Sequence, residues 1–280
     1  MSDGITVVKC GGAAGVDPAA VCAAVAAESA AGRRPVLVHG ASAETTALAG
    51  RLGVRLRELT GPGGEVSRHT DAAALEVLVL ALAGRVKPAL VAEFGRLGVP
   101  AAGLTGLDAG LLRARRSTTV RAVVDGREVV VRDDHSGRLT RVDPTLPRLL
   151  LDAGLLPVVS PPALGEDGAP VNVNADRVAA ALAVSLRAER LVLLTAAPGV
   201  LADPYDERSV RRDYRLPPRG VADPAVGGGM TVKLLAARQA LEGGVPEVLI
   251  ADGRSGDAVR QALAGTAGTR IALTDPTDLR

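Results

Sequence analysis

The chain reads as an α/β protein built on a mostly parallel sheet, and three observations predict this. Short apolar, β-branched runs recur, and the first two run straight into glycine loops: Ile5–Gly12 ends Lys9-Cys10-Gly11-Gly12, and Val36–Val38 closes on His39-Gly40-Ala41-Ser42. Strands buried on both faces of a parallel sheet have this continuous apolar character. The runs alternate with helical segments in the order β-α-β-α, which calls for right-handed crossovers. The composition is globular but almost without aromatics: 47% hydrophobic, 33 Gly, 18 Pro, and only Phe94, Tyr205 and Tyr214. The core is therefore aliphatic, and a chain of 280 residues buries roughly 75% of its unfolded surface.

The elements follow in order. Pro18–Ala31 is alanine-rich and helical, ended by Arg33-Arg34-Pro35, and Ala43–Leu52 is a second helix. Leu56–Thr70, containing Gly61-Pro62-Gly63-Gly64, reads as a loop. Thr70 or Asp71 caps the apolar helix Ala72–Ala83. Lys87–Leu97 continues in helix and Val99–Leu104 is a strand. Val120–Val124 and Glu128–Arg132 alternate around Asp125-Gly126, a hairpin signal. Leu155–Val159 is a buried strand that Pro161-Pro162 should stop. Asn172–Asp176 opens the helix Val178–Ala188, Arg190–Leu194 is a strand, and Thr195–Val200 a loop. Gly227–Met230 leads into the helix Val232–Glu242; Val248–Ile250 is a late strand and Ala258–Ala264 a last helix. Ser255–Gly256 and Thr266–Thr269 read as loops, and His135 receives no role.

Net charge is +2, too small to imply a polyanionic partner, and the lack of aromatics argues against a base-stacking nucleic-acid platform. No run of about 20 apolar residues is present, so no membrane span is expected. Cys10 and Cys22 form no metal motif and there is no signal-like start, which makes the cytoplasm the expected location. There is neither a Gly-x-x-x-x-Gly-Lys-Ser/Thr loop nor a Gly-x-Gly-x-x-Gly fingerprint.

Lysine usage narrows the chemistry. Of 33 basic residues only Lys9, Lys87 and Lys233 are lysine. Where arginine serves almost every cationic position, a retained lysine points to a need for a compact ammonium. Lys9 precedes Gly11-Gly12 and Lys233 follows Gly227-Gly228-Gly229-Met230. Glycine loops present backbone N–H groups to anions, so both lysines are candidate phosphate contacts; the alternative is a tight turn beside a surface lysine. Asp176 lies near a helix start, where the macrodipole favours an acid, so a cap is a serious reading for it. Arg68 either forks onto a carboxylate or is solvated. Residues 113–141 hold eight arginines against four acids, which suits either a docking surface or an edge hairpin protected by charge.

Taken together, Val8–Gly12, Val38-His39-Gly40, Asn172–Asp176, Leu194-Thr195 with Pro198-Gly199-Val200, and Gly229–Lys233 resemble the amino acid kinase family, in its acetylglutamate-kinase-like branch. Thr60–Arg68, Gly106-Leu107-Asp108 and Arg115-Arg116 resemble the LysW-aminoadipate kinases within it; acetylglutamate kinases usually carry a lysine where Leu107 stands. The resemblance implies a three-layer αβα sandwich with a β-hairpin flap, an N-terminal lobe over residues 1–180 for acceptor and phosphoryl transfer, and a C-terminal lobe over 181–280 for the nucleotide. It implies ATP, with a magnesium ion held mainly by the nucleotide phosphates and no protein metal site. Transfer would go to the side-chain carboxylate of an amino acid whose amino group is attached to a small acidic carrier protein. It further implies a homodimer. The enzymatic alternative is acetylglutamate kinase; a catalytically weak regulatory relative is the other.

By the same resemblance, Lys9 and Lys233 stabilise the transferring group and Asp176 fixes them. The backbone of Gly11, Gly12, Gly40, Ala41 and Ser42 holds phosphoryl and acceptor oxygens. Arg68, Asn172 and Asn174 bind the acceptor; Thr195, Gly199, Val200, Gly229 and Met230 line the nucleotide site. Arg113, Arg115, Arg116 and Arg121 dock the carrier. Three departures stand out: Ala41 for a usual glycine, Ala196 for an acidic or amide residue, and Arg177 for glutamine.

Overall fold

The computed structural model describes residues 4–62, 66–124, 127–218, 220–221, 223 and 225–274. The chain opens with β1 (Ile5–Cys10), α1 (Pro18–Ala30), β2 (Arg34–His39) and α2 (Ser42–Leu52). β1 lies at the middle of the main sheet because it is apolar on both faces. It pairs in parallel with β2 and with β12 (Arg190–Thr195), Val7 lying between Val36 and Leu191 and Val8 between Leu37 and Val192. All of these are fully buried, each apolar side chain contributing about 1.5–3 kcal/mol.

The pleat sends alternate residues to opposite cores. Ile5 and Val7 join one cluster with α6 (Ala175–Leu186) and α7 (Gly228–Glu242). Val8 and Cys10 join another with α1, α4 (Lys87–Arg96) and α8 (Gly256–Leu263). Helices thus cover both faces, the expected three layers. Outward from β12 run β14 (Glu247–Asp252), β15 (Thr269–Leu273) and β13 (Asp213–Leu216); outward from β2 run β10 (Leu156–Gly165), β6 (Leu112–Arg116) and β9 (Gly137–Val142). β5 (Ala101–Gly106) and the short β11 (Pro170–Val171) also pair with β10, and α5 (Thr145–Asp152) packs beneath it. Among the described residues, only the β6–β9, β10–β11 and β14–β15 pairs are antiparallel in this sheet. The lobe boundary expected at residue 180 falls inside α6.

A second, antiparallel sheet joins β3 (Arg57–Thr60), β4 (Val66–His69), β7 (Val120–Val124) and β8 (Arg127–Val131) in the order β4-β3-β7-β8. The expected hairpin is β7–β8, although its turn Asp125-Gly126, like Gly63–Glu65, lies outside the described residues. The expected loop Leu56–Thr70 instead holds two strands. Arg57, Glu58 and Thr60 are exposed, so no apolar alternation marks them; they are strands because β3 pairs with β4 and Thr60 with Val123.

Pro161-Pro162 does not stop β10. The strand pairs with β5 and β2 up to Ser160 and with β6 and β11 from Ala163 onward. The prolines stand where partners change, so their missing N–H groups are not needed. β13 and β15 were hidden by polar residues; Thr269, expected in a loop, is fully buried. Residues 72–96 form one continuous helix, α3 (Ala72–Val79), a π-helical stretch Leu80–Val86, and α4. Among the described residues no helix is long and apolar enough to cross a membrane.

Candidate active site

The carboxyl ends of β1, β2 and β10 and the starts of α2, α6 and α7 meet at one edge. Asn174 is the N-cap of α6, its side-chain oxygen accepting from the Asp176 and Arg177 N–H groups at 2.9 and 3.2 Å. The cap is therefore Asn174, and Asp176 is released for another purpose. Its Oδ1 is 2.9 Å from Lys9 Nζ and its Oδ2 3.2 Å from Lys233 Nζ. Lys9, Asp176 and Lys233 are only 5%, 5% and 9% exposed. Two lysines 224 positions apart in the chain thus converge on a single buried carboxylate.

Burial acts to raise the Asp176 carboxyl, but Lys9 and then Lys233 overcome it and hold the group below the usual carboxylate range. For Lys233, burial and then the charge of Lys9 pull the ammonium below the usual lysine value, against Asp176. The triad carries two positive charges and one negative. The excess positive charge in a desolvated site favours an anionic guest.

Of the triad, Lys9 and Asp176 line a cleft of about 540 Å³ together with Gly12, Gly40, Ala41, Ser42, Arg68, Asn172 and Asn174; Lys233 reaches it through its contact with Asp176. The two glycine loops touch: a Cβ on Gly12 would lie 2.6 Å from Ala41 N and 2.7 Å from Ser42 N, and the Ala43 N–H donates to the Gly12 carbonyl at 2.8 Å. Gly11 lies outside this lining; a Cβ there would strike Val16 and the Leu194 carbonyl. Ala41 has φ −145°, so its methyl meets no left-handed penalty and packs instead with Ala81 and Leu82 of the π-helical stretch. Arg177, the departure after Asp176, donates to the Leu235 carbonyl at 3.0 Å and to Gln239 Oε1 at 3.3 Å. It ties α6 to the helix that carries Lys233. Ala196 packs against Gly15.

The remaining expected residues fall in three places. Thr195 ends β12; Gly229 and Met230 occupy the first turn of α7, next to Lys233. Val200 is fully buried, its N–H donating to Thr269 Oγ1 and its carbonyl accepting from the Arg211 N–H, each at 2.8 Å. It anchors the loop and offers no free group to a ligand, while Gly199 leaves room for Thr269. The four expected docking arginines are divided. Arg113, Arg115 and Arg116 lie on β6 of the main sheet and Arg121 on β7 of the small one. Arg115 pairs with Glu166 at 3.0 Å and Arg121 with Glu128 at 3.7 Å. Arg116 donates to the Asp134 and Arg132 carbonyls at 2.7 and 3.4 Å; its fork braces backbone.

Sequence reasoning missed Glu58, Thr70 and Ser136, which also line the cleft, and His39. The imidazole of His39 is 1% exposed and 3.2 Å from the Gly40 carbonyl through Nδ1. Burial pushes it down to about 4; the Gly40 bond opposes this and Lys87 adds to it. Its ordinary value is 6.5, so between those two values the unfolded chain binds the proton and the folded chain does not. Stability is therefore expected to fall by roughly 3 kcal/mol as pH drops from 6.5 to 4. Urea unfolding of the wild type and His39→Gln across that range measures it; identical slopes for the two proteins would refute the assignment.

Among the described residues no group of three His, Cys, Asp or Glu gathers as a metal cluster. Both oxygens of Asp176 are engaged by lysines.

Positive charge beside paired glycine loops at the mouth of a parallel sheet is suited to binding an anionic group such as a phosphate. The chain belongs to the amino acid kinase family, whose sequence profile matches residues 4–252. It is 42% identical over 261 residues to a [LysW]-aminoadipate kinase of Deinococcus radiodurans, covering 92% of this chain and 89% of that one. It is 37% identical over 225 residues to an acetylglutamate kinase of Moorella thermoacetica, covering 80% and 74%. In three dimensions it resembles the N-acetylglutamate synthase of Neisseria gonorrhoeae solved with coenzyme A and N-acetyl-glutamate, with a TM-score of 0.75, 26% identity, and coverage of 98% of this chain and 61% of that one.

Proposed function

We propose that the protein transfers the γ-phosphoryl group of ATP to the side-chain carboxylate of an aminoadipate- or glutamate-type amino acid held through its amino group on a small acidic carrier. A carboxylate oxygen attacks the γ-phosphorus, the bond to the bridging β-oxygen breaks, and ADP leaves an acyl phosphate behind. The observation that carries this reading is the meeting of Lys9 and Lys233 on the buried Asp176 beside the cleft. A carboxylate with pKa about 4.3 is already ionised at neutral pH, which is why the site needs no general base. What it needs is charge to draw two anions together in line. Lys9 and Lys233 supply it, Asp176 spaces them, and the Gly12 and Gly40–Ser42 backbone holds the oxygens. Arg68 and Asn172 grip the acceptor's α-carboxylate and amide, with Asn174 beside them. Thr195, Gly199, Gly229 and Met230 border the nucleotide, which brings magnesium on its phosphates.

A basin beside the cleft supports a tethered acceptor over a free one. It measures about 600 Å³, is lined by Arg55, Arg57 and Arg68, and shares Glu58 and Arg68 with the cleft. A carrier-linked amino acid needs such an exit for its tether; an acetyl group does not. The basin's arginines offer an acidic carrier a cationic approach, and Arg113, Arg115 and Arg121 would add to it. Parallel assays of ATP turnover with carrier-linked acid and with free acetylglutamate test this reading. Preference for the carrier-linked acid is expected, and equal or better use of free acetylglutamate would favour plain acetylglutamate kinase. Charge reversal at Arg55 and Arg57 is expected to raise KM for the carrier-linked substrate roughly tenfold at low salt and less at high salt. An unchanged KM would remove the docking role. The resemblance also implies a homodimer, which light scattering measures directly.

A further inference from the structure

Arg68, on β4, and Asn172, just past β11, reach one cleft from segments remote in sequence, so their spacing needs an explanation. Asn172 Nδ2 donates to Thr70 Oγ1 at 2.9 Å, and Thr70 Oγ1 donates to the Arg68 carbonyl at 3.4 Å. The His135 N–H donates to the Thr70 carbonyl at 2.7 Å, and the Asn172 N–H to the His135 carbonyl at 2.9 Å. The short segment between β8 and β9 therefore stitches the end of β4 to the strand leading to α6.

At the centre of that segment is Asp134, 1% exposed and absent from the cleft wall. Its Oδ2 accepts from the Thr70 N–H at 3.0 Å; its Oδ1 accepts from the Ser136 N–H at 2.7 Å and from the Ser136 hydroxyl. Its carbonyl receives Arg116. A carboxylate this buried is retained only where donors satisfy it, and each donor here belongs to a residue next to the acceptor cleft. Asparagine cannot serve all of them, because one of its two arms is itself a donor.

We infer that Asp134 is a positioning residue that holds Arg68 and Asn172 at the spacing the acceptor needs, acting through Thr70 and Ser136 from outside the cleft. The inference rests on the acceptor role proposed above for Arg68 and Asn172. It concerns the acceptor half of the site alone, since Lys9, Asp176 and Lys233 are held by other elements.

The test compares wild type, Asp134→Ala, Asp134→Asn and Arg116→Gln in steady-state kinetics, with amide hydrogen exchange measured on the substrate-free proteins. Asp134→Ala is expected to raise the acceptor KM roughly tenfold or more while the ATP KM stays within about twofold. Asp134→Asn should recover part of that loss, and Arg116→Gln should shift the acceptor KM in the same direction by a smaller factor. The Thr70 amide should lose protection in both Asp134 variants. An unchanged acceptor KM, or acceptor and ATP KM rising together, would overturn the assignment. Should Asp134→Ala fail to fold, Arg116→Gln and Asp134→Asn decide by the same criteria. A wild type that forms no acyl phosphate would defeat the functional reading instead, and Thr70 exchange would still report on Asp134.

Discussion

Replacing Lys233 by alanine is expected to lower kcat by roughly 10³-fold while changing either KM only a few-fold. Lys233 is 9% exposed and its ammonium lies 3.2 Å from Asp176, so it is preorganised and largely shielded from water. A charge in such a place acts most strongly where negative charge gathers during transfer, which lowers the barrier more than it tightens ground-state binding. Lys9→Ala is expected to behave alike, because the two ammonium groups flank the same carboxylate. Lys233→Arg should not restore the rate: a planar fork is larger than the cavity vacated by an ammonium and directs its donors differently. Rapid-quench measurement of ADP formation under saturating substrates reads the effect. A Lys233→Ala enzyme within tenfold of wild type would show that this lysine is not part of the phosphoryl site.

Asp176→Ala is expected to destabilise the fold by about 3–5 kcal/mol, the cost of leaving buried charge without its partner. Two ammonium groups would then face each other across the place the carboxylate held. The pH dependence has a definite sign. Asp176 titrates below the usual carboxylate range in the folded state, so its contribution is fully present above the unfolded value. It is lost as pH falls through the lower folded value. Lys233 is held below the usual lysine value, so in the window between its folded and unfolded values stability rises with pH. Removing Asp176, which opposes that depression, should widen the alkaline window and abolish the acid one. Thermal unfolding of wild type and variant across acid and alkaline pH checks both limbs. A variant with an unchanged melting temperature and acid limb would mean the triad is not electrostatically coupled.

The strands that carry the site were readable because they are buried on both faces. β1, β2, β12 and β14 are runs of Val, Leu and Ile with little else, and no other environment suits them. β3, β4, β13 and β15 were not readable. They are short and partly polar, and become strands through neighbours that arrive from elsewhere in the chain. Pro161-Pro162 misled for a related reason, since a proline's missing donor matters only where a partner strand asks for it.

The site divides along the same line. In a chain that uses arginine almost everywhere, Lys9 and Lys233 could be picked out from residue type and adjoining glycines. Asp134, Thr70 and Glu58 carry no such mark, and nothing in the sequence around Arg116 signals that its guanidinium donates to the Asp134 and Arg132 carbonyls. Composition and periodicity by themselves determined a parallel α/β core, its glycine-edged strands and two exceptional ammonium groups, because burial and loop chemistry are written locally in residue type. Only the tertiary structure decided that those ammoniums share one carboxylate, that Asn174 rather than Asp176 caps α6, and that a buried acid outside the cleft, Asp134, accepts from Thr70 and Ser136 of its wall. Each of these depends on distances between segments that no local pattern encodes.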